Sequence, residues 1–187
     1  MRGAEIPVEI NRRNVWRIAE RIVSNELEGR GFRVSALNKE GQAANADLLA
    51  SRGGKVWQIQ VKGATNDDNY PRWWVQYGFC TVEIIKGKEP MFNRRDSFYR
   101  ADVVVLVAVK SPREYRCIVL PVGKAIEAAD LNLDRGFRGR TKKGTPKKPN
   151  KVWVELDRST GERKQDPRRD KERRILNRYE DAWHALR

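Results

Sequence analysis

Apolar positions along the chain fall into two periods. In "NRRNVWRIAERIVSNELEGRGF" the residues Val15, Ile18, Ala19, Ile22, Val23 and Leu27 recur at helical spacing, which predicts an amphipathic helix from about Arg12 to Glu28. Gly29 and Gly31 supply its stop. The period then shortens. "FRVSAL" predicts a short strand and "NKEGQAAN" a polar loop. "DLLAS" and "KVWQIQVKG", on either side of "RGG", predict a hairpin. A further strand is expected at Trp73 to Phe79. "ADVVVLVAV" has the β-branched density of a fully buried strand, with "YRCIVLPV" as its neighbour across the turn "KSPRE". A helix over "GKAIEAADLNL" follows, then one more strand, "KVWVEL". The closing stretch "DKERRILNRYEDAWHALR" predicts an amphipathic helix through Ile175, Leu176, Tyr179, Trp183 and Leu186. The order implies an α/β (α+β) fold, a mixed central sheet flanked by helices.

The hairpin carries a further implication. With Gly53 and Gly54 as its two-residue turn, Arg52 faces Lys55, and counting back five residues on each arm sets Asp47 opposite Gln60. Facing residues of an antiparallel ladder share a side, and side chains alternate along a strand, so Gln60 and Lys62 share the side of Asp47 while Ile59 and Val61 take the other. An acid, an amide oxygen and a lysine gathered on neighbouring strands form a candidate site for a hard cation such as magnesium, to which the Val61 carbonyl would add a third oxygen. The bland alternative is that Gln58, Gln60 and Lys62 form the solvent face of a half-buried sheet. Glu20 lies at the margin of the first helix's apolar stripe, where a carboxylate turned to the sheet needs a cation or a donor; pairing with Arg17 or Arg21 is the simpler alternative.

The 187 residues fit a single domain, 1–187. Composition sharpens the picture at one point: 39 Lys and Arg against 25 Asp and Glu give a net charge of +14, which points to a polyanionic partner, nucleic acid first. The charge concentrates in "RGFRGRTKKGTPKKPN", expected to be a flexible basic loop at about 135–151 whose Arg138, Arg140, Lys142, Lys143, Lys147 and Lys148 would meet phosphates. "NRRDSFYR" adds Arg94, Arg95 and Arg100 near the sheet. Of Trp73 and Trp74, one is expected in the core and the other at an interface. Cys80 and Cys117 read as small buried thiols of a reducing compartment, and His184 as a packing or surface residue. The longest apolar run, Val103 to Val109, is too short to span a bilayer, so a cytoplasmic protein without membrane association is expected.

The helix with "AER", then "NADLLA", a glycine turn and "WQIQVKG", together resemble the PD-(D/E)XK nuclease superfamily over about Val15 to Lys62. The likeness is to the branch in which Gln replaces the acid of the last motif. Ala46 stands where the family usually writes proline. The resemblance implies a restriction-endonuclease-like core and Mg²⁺-dependent phosphodiester hydrolysis, with Mn²⁺ able to substitute. Carried over, Asp47, Gln60 and Lys62 take the motif positions and Glu20 that of the helix glutamate; Asp47, Gln60, Glu20 and the Val61 carbonyl would hold the metal. A homodimer that cuts duplex DNA in restriction or homing fashion is the expected form. A Holliday junction resolvase of the same superfamily and a non-catalytic DNA-binding protein are the alternatives, with a purely structural RNA binder behind them.

Overall fold

The computed structural model describes residues 10–11, 13–37, 46–65, 74–83, 91–95, 100–138, 152–155 and 167–186, with backbone alone over 74–83, 91–95, 132–138, 152–155 and 167–169. Helix α1, Val15–Glu28, leads into strand β1, Arg33–Ala36; β2, Leu48–Arg52; and β3, Lys55–Ala64. Strands β4, Trp74–Glu83, and β5, Met91–Arg95, precede β6, Val103–Ser111, and β7, Glu114–Pro121. Helix α2, Val122–Arg138, strand β8, Val152–Glu155, and helix α3, Pro167–Arg178, complete the order, with a short 3₁₀ turn at Trp183–Ala185.

Five strands form the main sheet in the order β1-β2-β3-β6-β7; β3 and β6 run parallel and the other pairs antiparallel. Strands β5, β4 and β8 make a second, antiparallel sheet, whose β4 lies against β3 and β6 and whose β8 meets α2. This is the mixed sheet with flanking helices, α+β, that the sequence pattern implies.

Strand β6 explains its own composition. Val103, Val105, Val107 and Val109 pack towards α1, while Val104, Leu106 and Ala108 pack towards α2 and α3. With both faces covered, every position from Val103 to Val109 is apolar, and only the end of the strand, Lys110 and Ser111, is polar. On α1, Val15, Ala19, Ile22, Val23 and Leu27 form the buried stripe. The helix ends in a Schellman arrangement: Phe32 N–H donates to Leu27 C=O at 3.1 Å and Gly31 N–H to Glu28 C=O at 2.9 Å, with Gly31 at φ +80°.

Three boundaries depart from the sequence pattern. Helix α1 begins at Val15 rather than near Arg12, because Asn14 Oδ1 accepts from Asn11 N–H and Asn11 Oδ1 from Arg13 N–H, both at 2.9 Å; such local bonds favour a turn over a helical backbone. Helix α2 runs through Arg138, so the expected flexible loop from residue 135 begins inside a helix; Gly136 costs the helix about 1 kcal/mol, an amount that neighbouring good helix formers offset.

The third departure is at the C-terminus. The expected final helix stops at Arg178, and Tyr179 to Asp181 cross the free edge of β7. Val119 N–H donates to Tyr179 C=O at 2.8 Å, and Asp181 N–H to Cys117 C=O at 3.0 Å. Asp181 sits at φ +48°, and Arg116 grips Glu180 through Nε at 2.9 Å and Nη2 at 3.1 Å. The crossing covers an edge that would otherwise offer unpaired backbone groups. It also moves the chain between layers: Leu176 belongs to the α2–α3 core, Trp183 and Leu186 to the α1 core. Cys117 is buried, and burial pushes its thiol well above the ordinary cysteine range; Trp73 and the side chains of Cys80 and Trp74 lie outside the described residues. His184 is exposed. Among the described residues no helix is long and apolar enough to cross a membrane.

Candidate metal and phosphodiester site

The hairpin closes through Gly53 at φ +59° and Gly54 at φ +79°. Positive φ at both central residues is the type I′ turn, whose twist matches that of the strands it joins. Arg52 consequently pairs with Lys55, and the ladder runs back to Leu48 opposite Ile59. Asp47 is the next residue out. Its N–H donates to Ile59 C=O at 2.8 Å and its C=O accepts from Leu37 N–H at 3.0 Å, so its backbone is held between β3 and the end of β1.

Here β2 stops pairing and the aspartate side chain takes over. Asp47 Oδ2 accepts from Val61 N–H at 2.7 Å and from the Gln60 side-chain Nε2. In an extended strand the N–H and C=O of one residue leave on the same edge, so the Val61 carbonyl also faces the side of Asp47. Gln60 is only 3% exposed, which removes it from any solvent face; Gln58, two residues earlier, is exposed. A buried amide without a partner costs about 1–3 kcal/mol, and the carboxylate of Asp47 meets that need here.

Lys62 is half-buried on the same face of β3 as Gln60. Gln60 aligns with Val104 and Lys62 with Leu106, both on the α2–α3 side of the sheet. Glu20 belongs to the other layer. Helix α1 packs on the face carrying Ile59 and Val61, and at Gly63 it comes so near that an added Cβ would stand 2.6 Å from Ala19 Cβ. Glu20 follows Ala19 and is half-buried. Hydrogen bonds join Asp47, Gln60 and Val61; Lys62 lies on the same face of β3 as Gln60, and Glu20 is carried by α1, which packs on the other face.

The donor set is short of charge. Among the described residues no three His, Cys, Asp or Glu side chains gather as metal ligands would. What the hairpin offers is one carboxylate, an amide that can present Oε1, and a backbone carbonyl. Those are hard oxygen donors, few in number, and they suit a small divalent ion that keeps several of its waters.

One residue unmarked in the sequence organises the neighbouring strand. The Asp102 carboxylate accepts from Gln58 N–H at 2.7 Å, its own N–H donates to Gln58 C=O at 2.8 Å, and its C=O accepts from Val122 N–H at 3.0 Å. Asp102 thus ties β3 to the starts of β6 and α2; an acid just before an apolar run was its one sequence signal. A cleft of about 380 Å³ beside it, lined by Lys55, Val56 and Trp57, lies at the hairpin end of β3, away from Lys62. Of the expected phosphate-binding residues, Arg138 closes α2 with its side chain undescribed, and Arg140, Lys142, Lys143, Lys147 and Lys148 lie outside the described residues. Arg94 and Arg95 fall in β5, and Arg100 is exposed.

No family model matches the chain, and no curated protein matches it. Among solved structures, a bacterial homing endonuclease, I-Ssp6803I, is similar with a TM-score of 0.54 at 15% identity, over 95% of this chain and 92% of that one. At that identity the likeness shows a shared fold.

Proposed function

We propose that the protein is a Mg²⁺-dependent DNA endonuclease of the PD-(D/E)XK type with Gln in the last motif, cutting duplex DNA in restriction or homing fashion as a homodimer. The observation that carries this reading is the buried Gln60 amide set against the Asp47 carboxylate at the point where β2 leaves β3. The shared fold with a homing endonuclease supports it, and the charge of +14 suits a DNA substrate.

In this reading Asp47, the Gln60 amide oxygen, the Val61 carbonyl and Glu20 would hold the ion, which calls for the Glu20 carboxylate to reach past β3 from the α1 side. When bound, magnesium supplies charge neutralisation at the scissile phosphate and a more acidic water. Lys62 would hold the attacking water and donate to the phosphoryl oxygen on which charge builds. Asp47 also positions Gln60 and fixes the Val61 amide, so one carboxylate sets the geometry of its neighbours. Cutting both strands calls for two sites, which a two-fold dimer provides.

Nicking of a supercoiled plasmid tests the proposal, with Mg²⁺ against EDTA and a four-way junction alongside. Lys62→Ala is expected to slow nicking on the order of a hundredfold to a thousandfold while keeping DNA binding. Asp47→Asn keeps an acceptor for the Val61 N–H and so keeps the fold, yet loses nicking. Equal nicking by wild type and Lys62→Ala would refute the assignment. Binding with no nicking under any divalent ion would favour the non-catalytic reading, which the missing charge at Gln60 supports. A strong preference for the junction would favour a resolvase.

A further inference from the structure

A second positively charged feature lies on the same side of the main sheet as Gln60 and Lys62. Helices α2 and α3 enclose a cleft of about 460 Å³, edged by Lys124 on α2 and by Lys171, Arg174 and Arg178 on α3. The three α3 cations are three and four residues apart and so form one stripe along the helix. Glu127 is the single carboxylate of the lining; it takes Lys124 at 2.7 Å and Lys171 at 3.6 Å. Among the described residues Arg174 and Arg178 have no carboxylate partner. The floor is apolar: Ile175 and Tyr179 are partly buried against the α2–α3 core.

Like charges at this spacing repel, which is a cost in the free chain that a bound polyanion converts into attraction. The cleft is open and holds three more cations than anions, as a phosphodiester backbone passing along it would require. Its position suits the same ligand. The cleft lies at the start of α2: from Lys124 to Arg138 at the far end of the helix is about 21 Å at 1.5 Å per residue.

We infer that the α2–α3 cleft binds the backbone of duplex DNA, sequence-independently, through a lining that shares no residue with the hydrolytic site. The inference rests on DNA being the substrate, and its test is arranged so that the two can fail separately.

The probe is a duplex of about 30 base pairs in EDTA, with affinity measured against salt concentration for two unrelated sequences. The triple variant Lys171→Gln, Arg174→Gln, Arg178→Gln is expected to bind both sequences more weakly and to flatten the log–log salt slope by about 1 to 3, near 0.9 for each phosphate no longer neutralised. Glu127→Gln is expected to bind more tightly. A charge-matched control replaces the exposed Arg13, Arg33 and Lys55 and is expected to leave the slope near that of wild type. The triple relieves repulsion along α3, gives up the weak contact of Lys171 with Glu127 and leaves Glu127 paired with Lys124, so it should melt close to wild type, which separates weakened binding from unfolding. A wild-type slope in the triple, or an equal change in the control, overturns the inference. Nicking at low salt by the cleft triple tests the hydrolytic reading by itself, since Lys62 is untouched; a wild type that never nicks, with the salt slopes as expected, removes the nuclease and leaves the cleft.

Discussion

Gly63→Ala is the sharpest test of how the first helix and the hairpin are held together. The new methyl would meet Ala19 Cβ at 2.6 Å, Val15 O at 2.9 Å and Val15 C at 3.4 Å. Carbon atoms that touch rest at about 3.5–4.0 Å, so the helix must withdraw by about 1 Å. None of the three atoms is the end of a flexible side chain, so rotamer adjustment cannot relieve the overlap. Withdrawal loosens Val15, Ala19, Ile22, Val23 and Leu27 against β3 and β6, and a gap of 0.5–1 Å forfeits about a quarter to a half of each atom pair's attraction. Overpacking of this kind costs about 1–3 kcal/mol; the reduced freedom of the unfolded chain returns about 0.4–1 kcal/mol. The net expectation is a loss of about 1 kcal/mol, or about 2–4 °C in Tm for a chain of this size. Urea unfolding should show a lower midpoint at unchanged slope. Adding Ala19→Gly removes the closest overlap and leaves the one with Val15 O, so the double variant should be more stable than the sum of the single changes implies. In the proposed nuclease the same withdrawal carries Glu20 away from the strand that bears Lys62, with a loss of nicking up to about a hundredfold. Wild-type stability in Gly63→Ala, or strict additivity with Ala19→Gly, would refute the packing argument.

Two further substitutions probe charge. Gln60→Glu replaces the amide donor to Asp47 with a second carboxyl in a buried position, so the pair should hold a proton or bind a cation; thermal melts at pH 8 are expected to show a lower Tm than wild type in EDTA and a larger rise on adding Mg²⁺, and an equal Mg²⁺ response in both proteins would count against the metal site. Asp181→Asn acts at the β7 crossing. Burial, and then the charges of Glu180 and Glu26, raise the Asp181 carboxyl above its ordinary value. A carboxyl with a folded-state pKa above the unfolded one is destabilising while ionised, so its cost is present at neutral pH and disappears as pH falls below the unfolded value. Asparagine tolerates φ +48° and carries no charge. The variant should therefore melt higher at pH 7, by no more than about 1–2 °C for so exposed a group, and equal to wild type near pH 3; a lower Tm at pH 7 would show that the aspartate stabilises the crossing.

The hairpin was legible because two independent local signals agree: "RGG" admits one tight turn, and the alternation of Trp57, Ile59 and Val61 with Gln58, Gln60 and Lys62 leaves one register. Strand β6 was legible for the opposite reason, the absence of any alternation. The C-terminal segment misled because its apolar residues, spaced as for one helix, serve two different cores. Leu176 and Trp183 sit on opposite sides of the sheet, and the crossing between them is dictated by the open edge of β7, which no window of the segment's own sequence contains. The same limit applies to Glu20. Periodicity set it at the margin of a buried stripe, yet the layer in which that stripe packs is a property of Gly63 on another element.

These placements bear on why β3 carries polar side chains inside the fold. It is antiparallel to β2 and parallel to β6, so the two ladders along it end at different points. Its pairing with β2 ends at Ile59, whereas that with β6 continues to Ala64. Beyond Ile59 the strand keeps one paired edge and loses the other, and the freed Val61 N–H needs an acceptor there. The Asp47 carboxylate is that acceptor, and because it is bonded to Gln60 as well, the amide can be buried at 3% exposure. A purely structural staple would need only the bond to Val61, which any acceptor could make. The buried amide facing the same oxygen, with Lys62 next along that face, adds polar groups whose desolvation the fold does not require. Polar groups held inside a sheet at a structural cost are expected where chemistry uses them, which is why the junction between the two ladders, rather than the larger clefts, is the place at which we put the reaction.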